Sequence, residues 1–210
     1  MDTNIALENL LLARDVLSAI NVRYFLADGT LLGSVRDRRF IDGDNDIDIG
    51  VFAEDFDVIS FGLYASLMRR KGFERQLMGI WNKYFVVQWM RRNVMVDVAF
   101  YFRRGDRRIA HVFDKGRILE LTYPADIIEA LSPVDFYGST FMAPKNEGAV
   151  LSCQYGDWTV RRSDWDWRTS PLNLSPWKNT TKLDSLYSSL SIGILRLSDK
   201  VMGRFIIPQS

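Results

Sequence analysis

The sequence predicts an α+β domain, a β-sheet flanked by helices, followed by a helical extension at the C-terminus. Three observations predict it. Apolar residues recur at helical spacing near the N-terminus and again from Leu183 onward. Short β-branched and aromatic runs, separated by turn residues, fill the interval 73–121. Between two short helical stretches stands a segment in which Asp and Ile alternate, the period of a strand. With 210 residues, 47% hydrophobic and 25% charged, the chain has material for one sizeable core and lacks the composition of a disordered protein. The expected division is a folded domain over 1–160 and, over 161–210, a linker with a C-terminal helix packed on the core.

Element by element, residues 4–20 place Ile5, Leu10, Leu11, Leu12, Val16, Leu17 and Ile20 on a helical face behind the capping candidates Thr3 and Asn4. Residues 22–27 read as a strand, 31–37 as a short helix opened by Gly29, and 46–52 as a strand. Residues 54–71 read as a helix. Its acidic start (Glu54, Asp55, Asp57) and basic end (Arg69, Arg70, Lys71) suit the helix dipole, and Gly72 is its stop. Strands follow at 73–78, 84–90 and 94–102, and a meander continues through 107–113 and 117–121. A short helix or turn at 124–131, a hairpin through 136–142 and a helix over 146–155 complete the domain. Trp165, Trp167, Pro171 and Pro176 mark a packed loop, after which Leu183, Leu186, Leu190, Ile194 and Leu197 stripe the terminal helix.

Composition removes several function classes. A net charge of +1 argues against a chain that coats nucleic acid. One cysteine, Cys153, allows no internal disulfide, and with the one histidine, His111, it cannot build a Cys/His zinc site. A histidine-dependent triad would hang on His111 alone. Asp2, Glu8, Arg14 and Asp15 interrupt the N-terminal leucines, so no secretory leader is expected, and no run approaches the roughly 20 apolar residues of a membrane span. The expected location is the cytoplasm, compatible with peripheral attachment at the inner face of a membrane.

The informative stretch runs Phe40-Ile41-Asp42-Gly43-Asp44-Asn45-Asp46-Ile47-Asp48-Ile49-Gly50-Val51. On a strand, Asp46 and Asp48 share one face and Ile47, Ile49 and Val51 the other. The two aspartates then lie roughly 6–7 Å apart at the backbone, a spacing that lets both reach one hard cation. Without a counter-ion they repel and raise their own pKa values. A solvated acidic loop is the plain alternative. An EF-hand is excluded: counted from Asp42 or Asp44, the sixth position is Ile47 or Ile49 and the twelfth Ala53 or Asp55. Asp97 is the single charge in the apolar strand around Val94, Val96 and Val98, so it must meet a donor, an arginine or the same cation as Asp46 and Asp48. Upstream, Gly29, Thr30, Gly33 and Arg36 form a strand–glycine–helix turn suited to phosphate. Glycine admits close approach, Thr30 adds a hydroxyl, and Arg36 offers a bidentate fork.

Together these motifs resemble the LicD/fukutin family, within the nucleotidyltransferase (polymerase β-like) superfamily. The resemblance rests on Gly29-Thr30-Leu31-Leu32-Gly33-Ser34-Val35-Arg36, on Asp44-Asn45-Asp46-Ile47-Asp48, on Asp97, and on Pro144-Lys145-Asn146 and Tyr155-Gly156-Asp157-Trp158. It covers about residues 20–160; Asp42-Gly43 replaces the family's Pro-Trp, and nothing after Trp158 matches. The resemblance implies a nucleotidyltransferase-type mixed β-sheet flanked by helices over 1–160. It also implies transfer of a phosphorylated small alcohol, phosphocholine- or polyol-phosphate-like, from a CDP-activated donor to a hydroxyl of a glycan or lipid-linked glycan. Mg2+ or Mn2+ would be held by Asp46, Asp48 and Asp97, which would also be the catalytic residues, and the donor phosphate by Gly29, Thr30, Gly33 and Arg36. Asp97 would take the proton of the attacking hydroxyl. Trp158, Trp165 and Trp167 are candidates for stacking on sugar, or for the core. Two alternatives stand beside this: nucleotidyl transfer to a small hydroxylated compound with release of pyrophosphate, and a non-catalytic binding protein on the same fold.

Overall fold

The computed structural model describes residues 1–81, 84–114 and 117–176. Helix α1 (Thr3–Ala19) is capped by Asp2, whose carboxylate accepts from the Asn4 and Ile5 N–H groups at 2.9 and 3.0 Å, one residue before the expected caps. It buries Ala6, Leu10, Ala13 and Leu17. Strand β1 (Tyr24–Leu26) leads into α2 (Asp28–Leu32), and the chain continues as a π-turn over Gly33–Asp37. The expected short helix therefore starts earlier and ends in a wider turn. After β2 (Asp46–Phe52), the expected helix 54–71 is split. Glu54 and Asp55 sit in a 3-10 turn because arginines claim them, Arg108 at 2.7 Å and Arg23 at 2.6 Å, and α3 (Val58–Arg70) starts behind an Asp57–Ser60 capping box.

Strands β3 (Glu74–Trp81), β4 (Tyr84–Arg91), β5 (Val94–Arg104), β6 (Arg107–Asp114) and β7 (Arg117–Pro124) follow, then α4 (Ala125–Ile128). The hairpin β8 (Leu131–Phe136) and β9 (Ser139–Pro144) and helix α5 (Glu147–Tyr155) come next. A last strand, β10 (Leu174–Pro176), was hidden in the Pro-containing stretch expected to be loop. It pairs antiparallel with the edge of β7, Leu174 opposite Leu121 and Pro176 opposite Leu119, where a proline is tolerated. The sheet therefore runs past residue 160. The expected terminal helix from Leu183 lies outside the described residues.

The sheet is mixed: β2 and β5 are parallel, and every other pair is antiparallel. Strand β5 is the hinge of the architecture. Its first part lies between β2 and β4, and its last residues pair with β6. Alternation decides its faces. Val94, Val96, Val98 and Phe100 are buried in the core that Leu10, Phe61 and Tyr64 share, while Asp97 and Ala99 face the opposite side. In β2 likewise, Ile47 and Ile49 are buried and Asp46 and Asp48 half-buried. Two adjacent parallel strands thus present their carboxylates on one face. No helix among the described residues is long and apolar enough to cross a membrane.

Candidate active site

Register builds the floor of the site. Asp48 of β2 stands opposite Asp97 of β5, and Asp97 stands opposite Gln88 of β4. Asp44, Asp46 and Asp48 each bring a carboxylate oxygen within 4.8 Å of the others. Asp44 completes that group of three, and Asp97, the third carboxylate expected, stands next to it on β5. The Gln88 amide donates to Asp97 Oδ2 at 2.9 Å, and among the described residues no arginine or ion pair answers its charge. Burial first, then Asp46 and Asp28, pushes the Asp97 carboxyl up to about 7. Burial and the Asp46 carboxylate bring Asp44 to about 7 as well. Burial, then Asp46, Asp28, Asp44 and Asp97, holds Asp48 well above the usual carboxylate range.

The strand–glycine–helix turn closes on this floor. Thr30, 2% exposed, is bonded twice to Asp48: its N–H donates to the carboxylate at 3.2 Å, and its hydroxyl accepts the Asp48 N–H at 2.8 Å. Thr30 therefore fixes the position of Asp48. A Cβ on Gly29 would stand 2.7 Å from Asp44 Oδ2 and 3.2 Å from Asp48 Oδ2, so only glycine leaves both carboxylates where they are. Gly33 does not line the cleft. Its missing Cβ makes room for the Arg39 carbonyl, 2.5 Å from where that carbon would be, which lets the π-turn fold back. Arg36 does line the cleft. Its Nε and Nη2 are taken by Asp37, the latter at 2.8 Å, and Nη1 has no part in that pair. Asp37 also binds Arg161 at 2.9 Å, and the two guanidiniums, Arg36 foremost, hold its carboxyl below the usual range.

The cleft has a volume of about 750 Å3. Beyond the carboxylates it is lined by Asp28, Gln154, Tyr155 and a wall from residues 157–171 that carries Trp158, Trp165 and Trp167. Asp42 and Gly43, which stand where the family has Pro-Trp, also line it, with Asp42 paired to Arg39 at 2.6 Å.

Four contributors escaped the sequence reading. Asp44 was legible in principle, since Asp44, Asp46 and Asp48 continue one period-two series. Asp28 precedes the glycine turn with φ +41, a strained conformation that marks functional positions, and accepts from Gln154 Nε2 at 2.7 Å. Gln154 in turn accepts from the Tyr123 hydroxyl at 3.0 Å. For Gln88 and Gln154 there was no local signal, because each acts across the fold.

The donor set suits a hard divalent cation: it is oxygen only and anionic. Asp97 Oδ1 is buried with no hydrogen-bond partner among the described residues, and the neighbouring carboxyls are raised by burial and then by one another's charge, a cost that a cation would relieve.

Comparison with known proteins identifies relatives of the chain. Ribitol 5-phosphate transferase FKRP of Mus musculus is 29% identical over 160 residues, 71% of this chain and 31% of that protein. Ribitol-5-phosphate transferase FKTN of Homo sapiens is 25% identical over 180 residues, 81% of this chain and 37% of that protein. The chain thus spans about a third of the length of these curated relatives. Among solved structures, the antibiotic-resistance factor ANT(2'')-Ia shares the fold, with a TM-score of 0.51 and 13% identity over 96% of this chain and 92% of that one. The family model described as LicD/FKTN/FKRP, nucleotidyltransferase domain, matches residues 21–146, which include Gly29, Thr30, Arg36 and every carboxylate of the floor. This chain belongs to the LicD/FKTN/FKRP nucleotidyltransferase-domain family.

Proposed function

We propose that the protein is a phosphotransferase that moves a phosphorylated small alcohol, of polyol-phosphate or phosphocholine type, from a CDP-activated donor to a hydroxyl of a glycan or lipid-linked glycan. The observation that carries this reading is that the whole acidic floor lies inside the stretch 21–146 matched by the family model, in a chain whose relatives include proteins named as ribitol 5-phosphate transferases. Asp44, Asp46 and Asp48 would hold Mg2+ or Mn2+, with Asp97 beside them. A divalent cation bound there supplies neutralisation of the donor's pyrophosphate and of the charge that builds on the departing nucleotide.

The residues of the chain account for the other parts of an in-line displacement. Thr30 fixes Asp48, Gly29 keeps the approach to the carboxylates open, and Arg36 offers Nη1 to a phosphate oxygen. The acceptor oxygen forms a bond to the phosphorus that carries the alcohol. The bond from that phosphorus to the bridging oxygen breaks, and CMP leaves with the electron pair. The hydroxyl proton passes to Asp97, which lies outside the closest carboxylate trio and whose carboxyl burial holds above the usual carboxylate range. The reading is tested by incubating the protein with magnesium and CDP-ribitol or CDP-choline and identifying the released nucleotide. CMP supports it. Pyrophosphate released from a nucleoside triphosphate, with no reaction of either CDP-alcohol, would replace it with nucleotidyl transfer.

A further inference from the structure

The cleft has two unlike sides, and the proposed chemistry uses one. Carboxylates, Gly29 and Arg36 account for the phosphates of a donor; the wall over 157–171 is left without a task. It lies outside the matched family stretch 21–146. Its members differ among themselves. Trp158 packs against the core. Trp165 is occupied by its neighbours, with the Tyr155 ring centroid 4.5 Å away and the Arg162 guanidinium 5.7 Å from its own centroid. Trp167 lines the cleft and is 39% exposed, although the Arg168 guanidinium also lies over its ring, 4.3 Å from the centroid. The same wall also carries the exposed Asp157 carboxylate, whose Oδ1 accepts from the Thr159 hydroxyl, the exposed Arg162, which is paired with Asp164 at 3.0 Å, and the exposed Ser163.

An exposed indole on a wall that also carries polar side chains suits a sugar ring, which presents an apolar C–H face and a rim of hydroxyls. Location separates sugar from nucleobase. A glycan acceptor is part of a larger molecule and must leave the cleft on its open side, whereas a small donor can be enclosed at the half-buried floor. The wall's polar groups are exposed. We propose that residues 157–171 form the acceptor subsite, with a sugar ring of the acceptor lying against Trp167. The assignment rests on the transferase reading above.

The test titrates the full chain with two probes, CMP with magnesium and a panel of methyl pyranosides, each followed by ligand-observed NMR. Wild-type protein and Trp167→Ala and Trp167→Phe are compared. Because Trp167 is exposed, the alanine variant is expected to melt as wild type does. It should lose about five- to tenfold in pyranoside affinity and keep CMP affinity unchanged, with phenylalanine restoring most of the loss. Unchanged pyranoside affinity in Trp167→Ala would overturn the proposal, as would a wild-type protein that binds no pyranoside at tens of millimolar. Loss of CMP affinity instead would assign the ring to the donor's base. Failure of wild type to bind CMP would sink the transferase reading while leaving the pyranoside arm to report on the wall by itself.

Discussion

The floor and the far wall of the cleft are built by opposite means. The floor is set on hydrogen-bonded strands: Asp48 and Asp97 are register partners, Gln88 answers Asp97 from the next strand, and Thr30 binds Asp48 twice. The wall has no regular structure between Tyr155 and Leu174 and holds itself largely by short-range pairs, Arg162 with Asp164 and Arg168 with Asp166. Hydrogen bonds anchor it to the domain. Arg161 reaches Asp37 at 2.9 Å, and the Leu172 N–H donates to the Gln154 carbonyl at 2.9 Å. A β-ladder fixes carboxylates to fractions of an ångström, as phosphoryl transfer demands. A locally tied loop is free to vary in sequence without disturbing that geometry. The difference teaches that chemistry and recognition here have separate structural supports, so that each should be removable without the other.

The sharpest way to break the contrast lies at the floor. Asp46→Asn or Asp48→Asn should lower turnover by about a thousandfold or more, since each removes a charge that holds the cation. Metal-free thermal stability should stay equal or rise as repulsion is relieved. Full activity in either variant would take that residue out of the site. Next in size is Gly29→Ala. The new methyl would push Asp44 Oδ2, the tip of a side chain, so activity should fall by about a hundredfold with little change in melting temperature. Gly33→Ala should do the reverse. Its methyl meets the Arg39 backbone, so stability should drop by about 1–3 kcal/mol. Smaller again, Arg36→Lys should weaken donor binding about tenfold, because a lysine cannot bind Asp37 and still offer a planar nitrogen to phosphate.

The mildest expected effect is a pH dependence that belongs to the floor alone. Asp44, Asp48 and Asp97 have folded-state pKa values raised above the unfolded value of about 3.9, two of them to about 7. Raised carboxyls contribute stability that is complete below the unfolded pKa and lost as pH climbs through the folded one. Metal-free protein should therefore melt higher at pH 5 than at pH 8, and magnesium at pH 8 should recover the difference. Calorimetric melts with and without chelator check both statements. A metal-free melting temperature that rises from pH 5 to pH 8 would contradict the repulsion on which the site is argued.

Legibility in the sequence divides along the same line. The alternation of Asp46, Ile47, Asp48 and Ile49 announced both the strand and the face its carboxylates share, because period two is a local property. Asp97 was legible as a lone charge in an apolar strand, but its answer, Gln88, was not: pairing β4 with β5 in that register is a tertiary outcome. Asp44 extends the period-two series of Asp46 and Asp48 one step upstream, whereas the place of Asp97 relative to that trio depends on how β5 pairs with β2, a tertiary outcome. Glu54 and Asp55 read as a helix start because acidic residues favour that end; two arginines distant in sequence outweighed the dipole. In the wall the aromatic residues were visible, but not that Trp165 would be spent on Tyr155 and Trp167 left facing the cleft.

If the proposed function holds, the acidic floor binds a nucleotide diphosphate donor through a divalent cation. Isothermal titration of the protein with CDP-ribitol, with and without magnesium and in wild type and Asp46→Asn, tests it most directly. The account predicts saturable binding of wild type in magnesium, with a Kd of about 1 μM–1 mM, and no measurable heat in chelator or in the variant. Equal affinity with and without magnesium, retained in Asp46→Asn, would contradict it.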